Sequence, residues 1–351
     1  MELLLPEIKR LAENLRESED KRRKLADFLR TVDSSINLVT KVEPKELDKT
    51  KIVGIDGGIV RKSLHGFDFI LARAAGVCFE YSKGRMINAS YLPSKFPSPR
   101  AFTLEAVSDM DYAYFYSIVR QKIEIETARK CIAHFSPDIL LLDGSVVPYY
   151  TTKPSSISVA FKEYEELMDS YQKLYQEAEE NNVLLAGVIE DSRSDRYCNL
   201  VKEQILSNIE NQTIPKVIDV LDKSRDTSLL FWVLKEMERT KTFDYTKNIE
   251  EHPILKDFVK KDFYTFYLKT AKFDRPIKVD FLNKEASDRL ASVLLAISGQ
   301  HSGYGFPSVL IEADGVAKLS EQEIENFYSY ILKYTGNISS MMKLRRDQRP
   351  F

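Results

Sequence analysis

Residues 51–60 read KIVGIDGGIV. An apolar run of Ile52, Val53 and Ile55 carries straight into Asp56, and Gly57-Gly58 follow. Burying an ionised carboxylate is costly unless something positive meets it. The glycines permit a sharp turn and remove side chains that would block a ligand. Asp56 is therefore either a cation ligand at a sheet edge or the cap of a turn. Residues 138–145, DILLLDGS, repeat the design, with Ile139 to Leu142 running into Asp143-Gly144-Ser145. Two apolar strands that each end in an Asp-Gly decide the fold.

Working outward from them, FDFILARAAGVCFEY (67–81) is rich in aromatic and β-branched residues and reads as antiparallel strands after the first, with turns at Gly66 and at 82–84. Residues 92–102, LPSKFPSPRAF, hold three prolines and read as a loop or lid. A long helix is expected over 104–135, a second buried strand over 138–142 and a helix over 157–181. A third apolar strand, 183–189, then runs into Glu190-Asp191-Ser192. Strand, helix, strand, helix, strand is an α/β arrangement, with parallel pairing across the helical crossovers. Beyond it, 199–260 read as charged helices, 262–281 as a hairpin, 284–298 as a helix and GQHSGYGFPSVLIEADG as a glycine-rich loop entering a helix that ends near Lys318. A last helix covers 321–333. Upstream, 1–48 form a polar helical arm, in two pieces broken near 17–22 or in one bent piece. Its narrow stripe of Leu4, Ile8, Leu11 and Leu15 suits either a solvated helix or a dimer or partner contact. The expected division is an arm at 1–48, a core domain at 49–335 and a basic tail at 336–351.

The chain has 351 residues, 43% hydrophobic and 30% charged, which is enough for a sizeable soluble core. No apolar run is long enough to span a membrane, and residues 1–24 lack the pattern of a signal peptide. Three scattered cysteines and four histidines offer neither a disulfide framework nor a Cys or His metal motif, so a cytoplasmic location is expected. A net charge of −2 disfavours a passive nucleic-acid coat but permits a local groove.

The candidate chemistry lies in acids: Asp56 and Asp143 on strands, Glu126 on the long helix, and Asp314 where the late loop turns into a helix, with Glu124 and Asp191 in reserve. Such acids, brought together, would bind Mg²⁺ or Mn²⁺ through oxygen ligands. Two such ions, about 3.5–4 Å apart, activate a water on a phosphodiester and stabilise the leaving oxygen. Each residue also has an ordinary role. An Asp-Gly after a strand is often a plain turn, a helix glutamate is usually solvated, and Asp314 suits a helix cap. Tyr304, in GYGFP, is placed to stack on a base or touch a phosphate, or simply to pin its loop. Arg61, Lys62, Arg193, Arg196 and Arg275 lie near these motifs and could contact phosphates, although solvation is the usual role of any one of them. No GxxxxGK[ST] or GxGxxG motif is present. GIDGG and LLDGS also resemble the phosphate loops of actin-like ATPases, so an actin-like phosphotransferase is a rival.

The ordered set KIVGIDGG, RQKIEIETARK, PDILLLDGS, LLAGVIEDSRS, RPIKVDF and GYGFPSVLIEADGVAKLS resembles the NurA nucleases of archaea and some bacteria, over about 50–330. The resemblance implies a ribonuclease H-like mixed sheet flanked by helices, with helical N-terminal and C-terminal additions. It implies a homodimer that acts on DNA as a Mn²⁺- or Mg²⁺-dependent 5′–3′ exonuclease and single-strand endonuclease. It also implies a hexameric HerA translocase as partner in double-strand-break end resection. Carried over by motif, the metal ligands are Asp56, Glu126, Asp143 and Asp314, with Tyr304 alongside. Asp314 stands where other members carry a histidine, and Glu190 where several carry a lysine. Those departures leave an inert docking subunit as a second rival.

Overall fold

The computed structural model describes residues 4–36, 38–105, 107–149, 153–208, 214–258 and 261–335. The expected basic tail lies outside the described residues. In chain order the elements begin with α1 (Leu5–Ile36), β1 (Val39–Lys41), β2 (Thr50–Ser63), β3 (Phe67–Ser82), β4 (Arg85–Leu92), β5 (Arg100–Glu105), α2 (Asp109–Phe135), β6 (Ile139–Asp143), α3 (Phe161–Glu180) and β7 (Leu184–Ile189). They continue with α4 (Arg196–Asn208), α5 (Ile214–Asp222), α6 (Asp226–Val233), β8 (Glu238–Thr240), β9 (Phe243–Asp244), β10 (Tyr264–Lys269), β11 (Ile277–Phe281), α7 (Ser287–Ser298), α8 (Ser308–Ala317) and α9 (Glu321–Thr335). Contacts divide the chain into a first unit of Met1–Glu46, Val188–Ile249 and Lys260–Pro307, and a second of Leu47–Gly187, Glu250–Val259 and Ser308–Phe351.

The second unit is a mixed sheet flanked by helices. Its strands run in the order β4-β3-β2-β6-β7, with β5 also on β3. β2 and β3 form a long hairpin, paired from Thr50↔Tyr81 to Ser63↔Asp68. Its turn contains Gly66 at φ +91, a conformation that a side chain would oppose. β6 runs parallel to β2, from Ile52↔Ile139 to Ile55↔Leu142, with α2 in the crossover. α2 starts at Asp109 rather than at 104 because Ser108 caps it, its hydroxyl accepting from the Asp111 N–H. The expected loop at 92–102 ends early. The prolines stop at Pro99, and Arg100–Glu105 pairs with β3 from Ala72 to Phe67.

A second correction concerns Asp56. It does not end its strand: β2 continues to Ser63, and Asp56 pairs with Ala75 in mid-hairpin. The glycines serve close approach rather than a turn. A Cβ on Gly54 would stand 2.7 Å from the Val309 carbonyl oxygen, and one on Gly58 2.1 Å from that of Ala317. Both glycines lie on one face of the strand, and α8 rests its backbone directly on that face.

In the first unit the strands run β1-β8-β10-β11, with β9 also on β10. α1 is one continuous helix, the second of the two forms expected, with no break at 17–22. Its second half buries Leu25, Ala26 and Leu29 in a core with Tyr197, Val201, Leu229 and Tyr267. Its first half leaves Leu4, Ile8, Leu11 and Leu15 exposed. The all-helical expectation for 199–260 fails at β8 and β9. β8 is polar in sequence, but Thr240 is buried and its hydroxyl accepts from the Tyr267 N–H at 3.0 Å, which anchors the strand on β10. Among the described residues no helix is long and apolar enough to cross a membrane.

Candidate active site

Alternation along β2 sends Asp56 to the face covered by α8, and Gly57 to the face covered by α2. Asp56 is only 7% exposed. Its carboxyl is held above the usual range, chiefly by burial. The Gly57 N–H and the charge of Arg120 oppose the shift, while Asp314 reinforces it by charge and by a side-chain hydrogen bond. Asp314 itself is exposed on α8.

On the other face, Glu124 of α2 occupies the space that a side chain at position 57 would need. A Cβ there would lie 2.4 Å from Glu124 Cγ and Oε1. Burial pushes the Glu124 carboxyl up to about 8. Arg120 opposes the shift, and the charges of Asp56 and Asp143 add to it. Arg120 in turn is raised, first by Glu124 and then by Asp56, Tyr149 and Asp143, against the cost of its own burial. Asp143 closes β6, and Gly144 at φ +116 makes the turn that follows. β6 pairs with β2 only as far as Ile55↔Leu142, so beyond that pair the edge of β2 is open beside Asp143.

Glu124 pairs with Arg120 and lies at Gly57, whereas Glu126, the glutamate expected from the sequence, does not join it there. Residues two apart on a helix point to opposite sides, and Glu126 pairs instead with Arg100 at 3.1 Å. Arg120 was not singled out from the sequence. Its spacing of four residues before Glu124 is the signal that would have found it.

Arg61 stacks over the Tyr116 ring at 4.1 Å. Lys62 pairs with Glu325 at 2.5 Å, and Arg275 with Asp191 at 2.6 Å. Arg193 is exposed, whereas Arg196 is half-buried with its Nε lacking a hydrogen-bond partner. Tyr304 belongs to the first unit, where its hydroxyl bonds Glu190. Its loop is held by the Gly305 N–H donating to Asp274 at 2.7 Å. The four acids Asp56, Glu124, Asp143 and Asp314 all belong to the second unit.

Three observations bear on whether the acids fit a metal ion. Glu124 Oε1 is buried without a hydrogen-bond donor. A cavity of about 10 Å³, lined by Glu124, Asp143, Arg120, Tyr149 and Ser145, has room on the order of one water or ion. Against these, no three acid, histidine or cysteine side chains among the described residues converge on one point. The donor set is all oxygen and suits a hard divalent cation. As they stand, Arg120 supplies positive charge beside the acids.

A family model described as the NurA domain matches residues 50–319. The NurA nuclease from Sulfolobus solfataricus has a similar structure, with a TM-score of 0.56 at 16% identity over 92% of this chain and 95% of that one. A second NurA structure gives a TM-score of 0.50 at 11% identity over 93% and 97% of the two chains. No curated protein matches in sequence.

Proposed function

The chain belongs to the NurA family, and from that premise we propose that it is a metal-dependent deoxyribonuclease. The observation that carries this reading is Glu124, a buried carboxylate kept beside the charges of Asp56 and Asp143 with one oxygen lacking a hydrogen-bond donor. Proteins bury such groups at a cost, and repay it where the charge does chemistry. The strand order β4-β3-β2-β6-β7, with β2–β3–β4 antiparallel and β6 parallel to β2, supports a ribonuclease H-like core.

Asp56, Glu124, Asp143 and Asp314 would hold Mn²⁺ or Mg²⁺, two ions in the fullest form of this proposal. The ions would supply charge neutralisation at the phosphodiester and activation of the attacking water. Arg120 positions Glu124 and balances its charge. Gly57 and Gly58 keep the strand free of side chains beside the acids. Tyr304 and the cations Arg61, Lys62, Arg193, Arg196 and Arg275 are secondary candidates for contacts to DNA. A homodimer, a HerA-type translocase partner, 5′–3′ polarity and a cytoplasmic location extend this proposal by family resemblance. Three buried, unpaired cysteines suit a reducing compartment.

Labelled single- and double-stranded DNA, incubated with Mn²⁺ or with EDTA, tests the proposal. Cleavage in Mn²⁺ only, lost in Asp56→Ala and in Glu124→Gln, is the expected result. Cleavage in EDTA, or an active Asp56→Ala variant, would overturn it. Absence of cleavage with retained binding to a translocase would make the chain a docking subunit.

A further inference from the structure

Beside the acids, on the α2 face of the sheet, lies a cavity of about 520 Å³. Its basic lining residues are Arg73, Arg100, Lys130 and His134, with no aspartate or glutamate among them. That is a local bias in a chain with 53 acidic and 51 basic residues. The remaining walls are largely apolar, from Leu92, Pro93, Pro97 and Ile123. A pocket lined by both cations and apolar walls suits a phosphate joined to a flat heterocycle.

The cations differ in how free they are. Arg73 is spent on its surroundings, bonding Glu323 and the carbonyls of Pro97, Ala317 and Lys318. It fixes the strap 93–99 that roofs the cavity. Arg100 pairs with Glu126 through one nitrogen, and half of its side chain remains exposed. Lys130 is exposed and makes no ion pair among the described residues. The strap also carries Phe96, 86% exposed, beside Lys95. A strap that presents a bare aromatic ring is a platform on which an unpaired base can stack.

The position ties the cavity to the acids. Ala74 in its wall is the register partner of Gly57, and Ile123 in its wall precedes Glu124 on α2. We infer that this cavity and Phe96 bind an unpaired nucleotide of a DNA strand whose backbone passes the acids. This inference rests on the nuclease proposal and names the form of its substrate. Arg100 and Lys130 hold a phosphate, the apolar wall holds one base, and Phe96 stacks on a neighbouring base. A duplex does not fit, because its bases are already stacked and paired.

Binding in EDTA separates this inference from cleavage. Fluorescence anisotropy with a labelled oligothymidylate, and with the same strand annealed to its complement, reads affinity for the full chain. Lys130→Glu should weaken single-strand binding about tenfold and flatten the salt dependence by roughly one unit of slope. Phe96→Ala should weaken it by a similar factor without changing the salt slope. Neither should alter duplex binding. If wild type cleaves DNA but both cavity variants bind the oligonucleotide normally, this inference fails and the nuclease proposal stands. If no variant cleaves but Lys130→Glu and Phe96→Ala still lose binding, the nuclease proposal fails and the site stands. A deoxynucleoside monophosphate that displaces the oligonucleotide at equal concentration would assign the cavity to a free nucleotide and overturn the strand assignment.

Discussion

Arg120 Nη1 lies 2.8 Å from Glu124 Oε1, one turn apart on α2, yet it aims its hydrogen bond at the Gly57 carbonyl, 3.1 Å away. Glu124 therefore has a neighbouring positive charge and no donor on that oxygen. A buried ion pair with a lone pair left over is poor evidence of stabilisation. It is better understood as an acceptor kept open. The arginine restrains the carboxylate from the side, and under the nuclease proposal the unfilled oxygen is the one that would meet a cation.

That arrangement makes stability depend on pH. Glu124 is raised from 4.5 to about 8, with burial as the first cause. The folded chain then holds the proton more tightly than the unfolded chain does. The resulting stabilisation is complete below about pH 4.5 and is lost as pH rises through about 8. Asp56, also raised, acts in the same sense. Unfolding free energies from urea curves in EDTA should fall across that window by up to a few kcal/mol, at about 1.4 kcal/mol per pKa unit. Glu124→Gln should flatten the slope. A wild-type slope that survives the substitution would refute the assignment.

The two helix glutamates should separate cleanly in activity. Glu124→Gln removes a buried charge at the acids and should lower metal-dependent cleavage by at least about 10²-fold, the scale of losing one preorganised catalytic group. Glu126→Gln breaks a partly exposed pair with Arg100. Such pairs contribute about 0–1 kcal/mol, so folding and cleavage should hardly change. The reverse ranking of the two variants would restore Glu126 to the site.

The double glycine also gives opposite expectations at adjacent positions. A methyl at 57 meets the side chain of Glu124, which can swing away. Gly57→Ala should therefore cost activity more than stability. A methyl at 58 meets the backbone carbonyl of Ala317, 2.1 Å away, and cannot be relieved without lifting the end of α8. Gly58→Ala should lower the unfolding free energy by about 1–3 kcal/mol, the range for overpacking. Denaturant curves and cleavage rates on both variants decide the matter. Equal loss of stability in the two would show that α8 does not lie on the strand as described.

Much of the core was legible because its signals are local. The apolar runs at 52–55, 139–142 and 184–189 are all strands, and α2, α3 and the β10–β11 hairpin fall close to their expected places. What misled was chemistry that depends on distant neighbours. Gly57-Gly58 reads as a turn until α2 and α8 are known to press on it from the two faces. Glu124 and Glu126 are indistinguishable by type. Only the packing of α2 on β2 turns one inward, and that packing also recruits Arg120. β8 has no apolar pattern, and its strand exists because β1 and β10 supply partners.

The same split between local pattern and packing governs α1. Its leucines recur at helical spacing throughout, but only Leu25 and Leu29 have a core to enter. Leu29→Ala should cost about 2–5 kcal/mol, the range for a buried leucine. Leu11→Ala and Leu15→Ala, at 51% and 69% exposure, should change the stability of the isolated chain by no more than about 0.5 kcal/mol. If the exposed stripe is covered by a second copy, the same two substitutions together should shift the sedimentation coefficient toward monomer while leaving the far-ultraviolet spectrum intact. An unchanged coefficient in the double variant would assign the first half of α1 to solvent and place any dimer contact elsewhere.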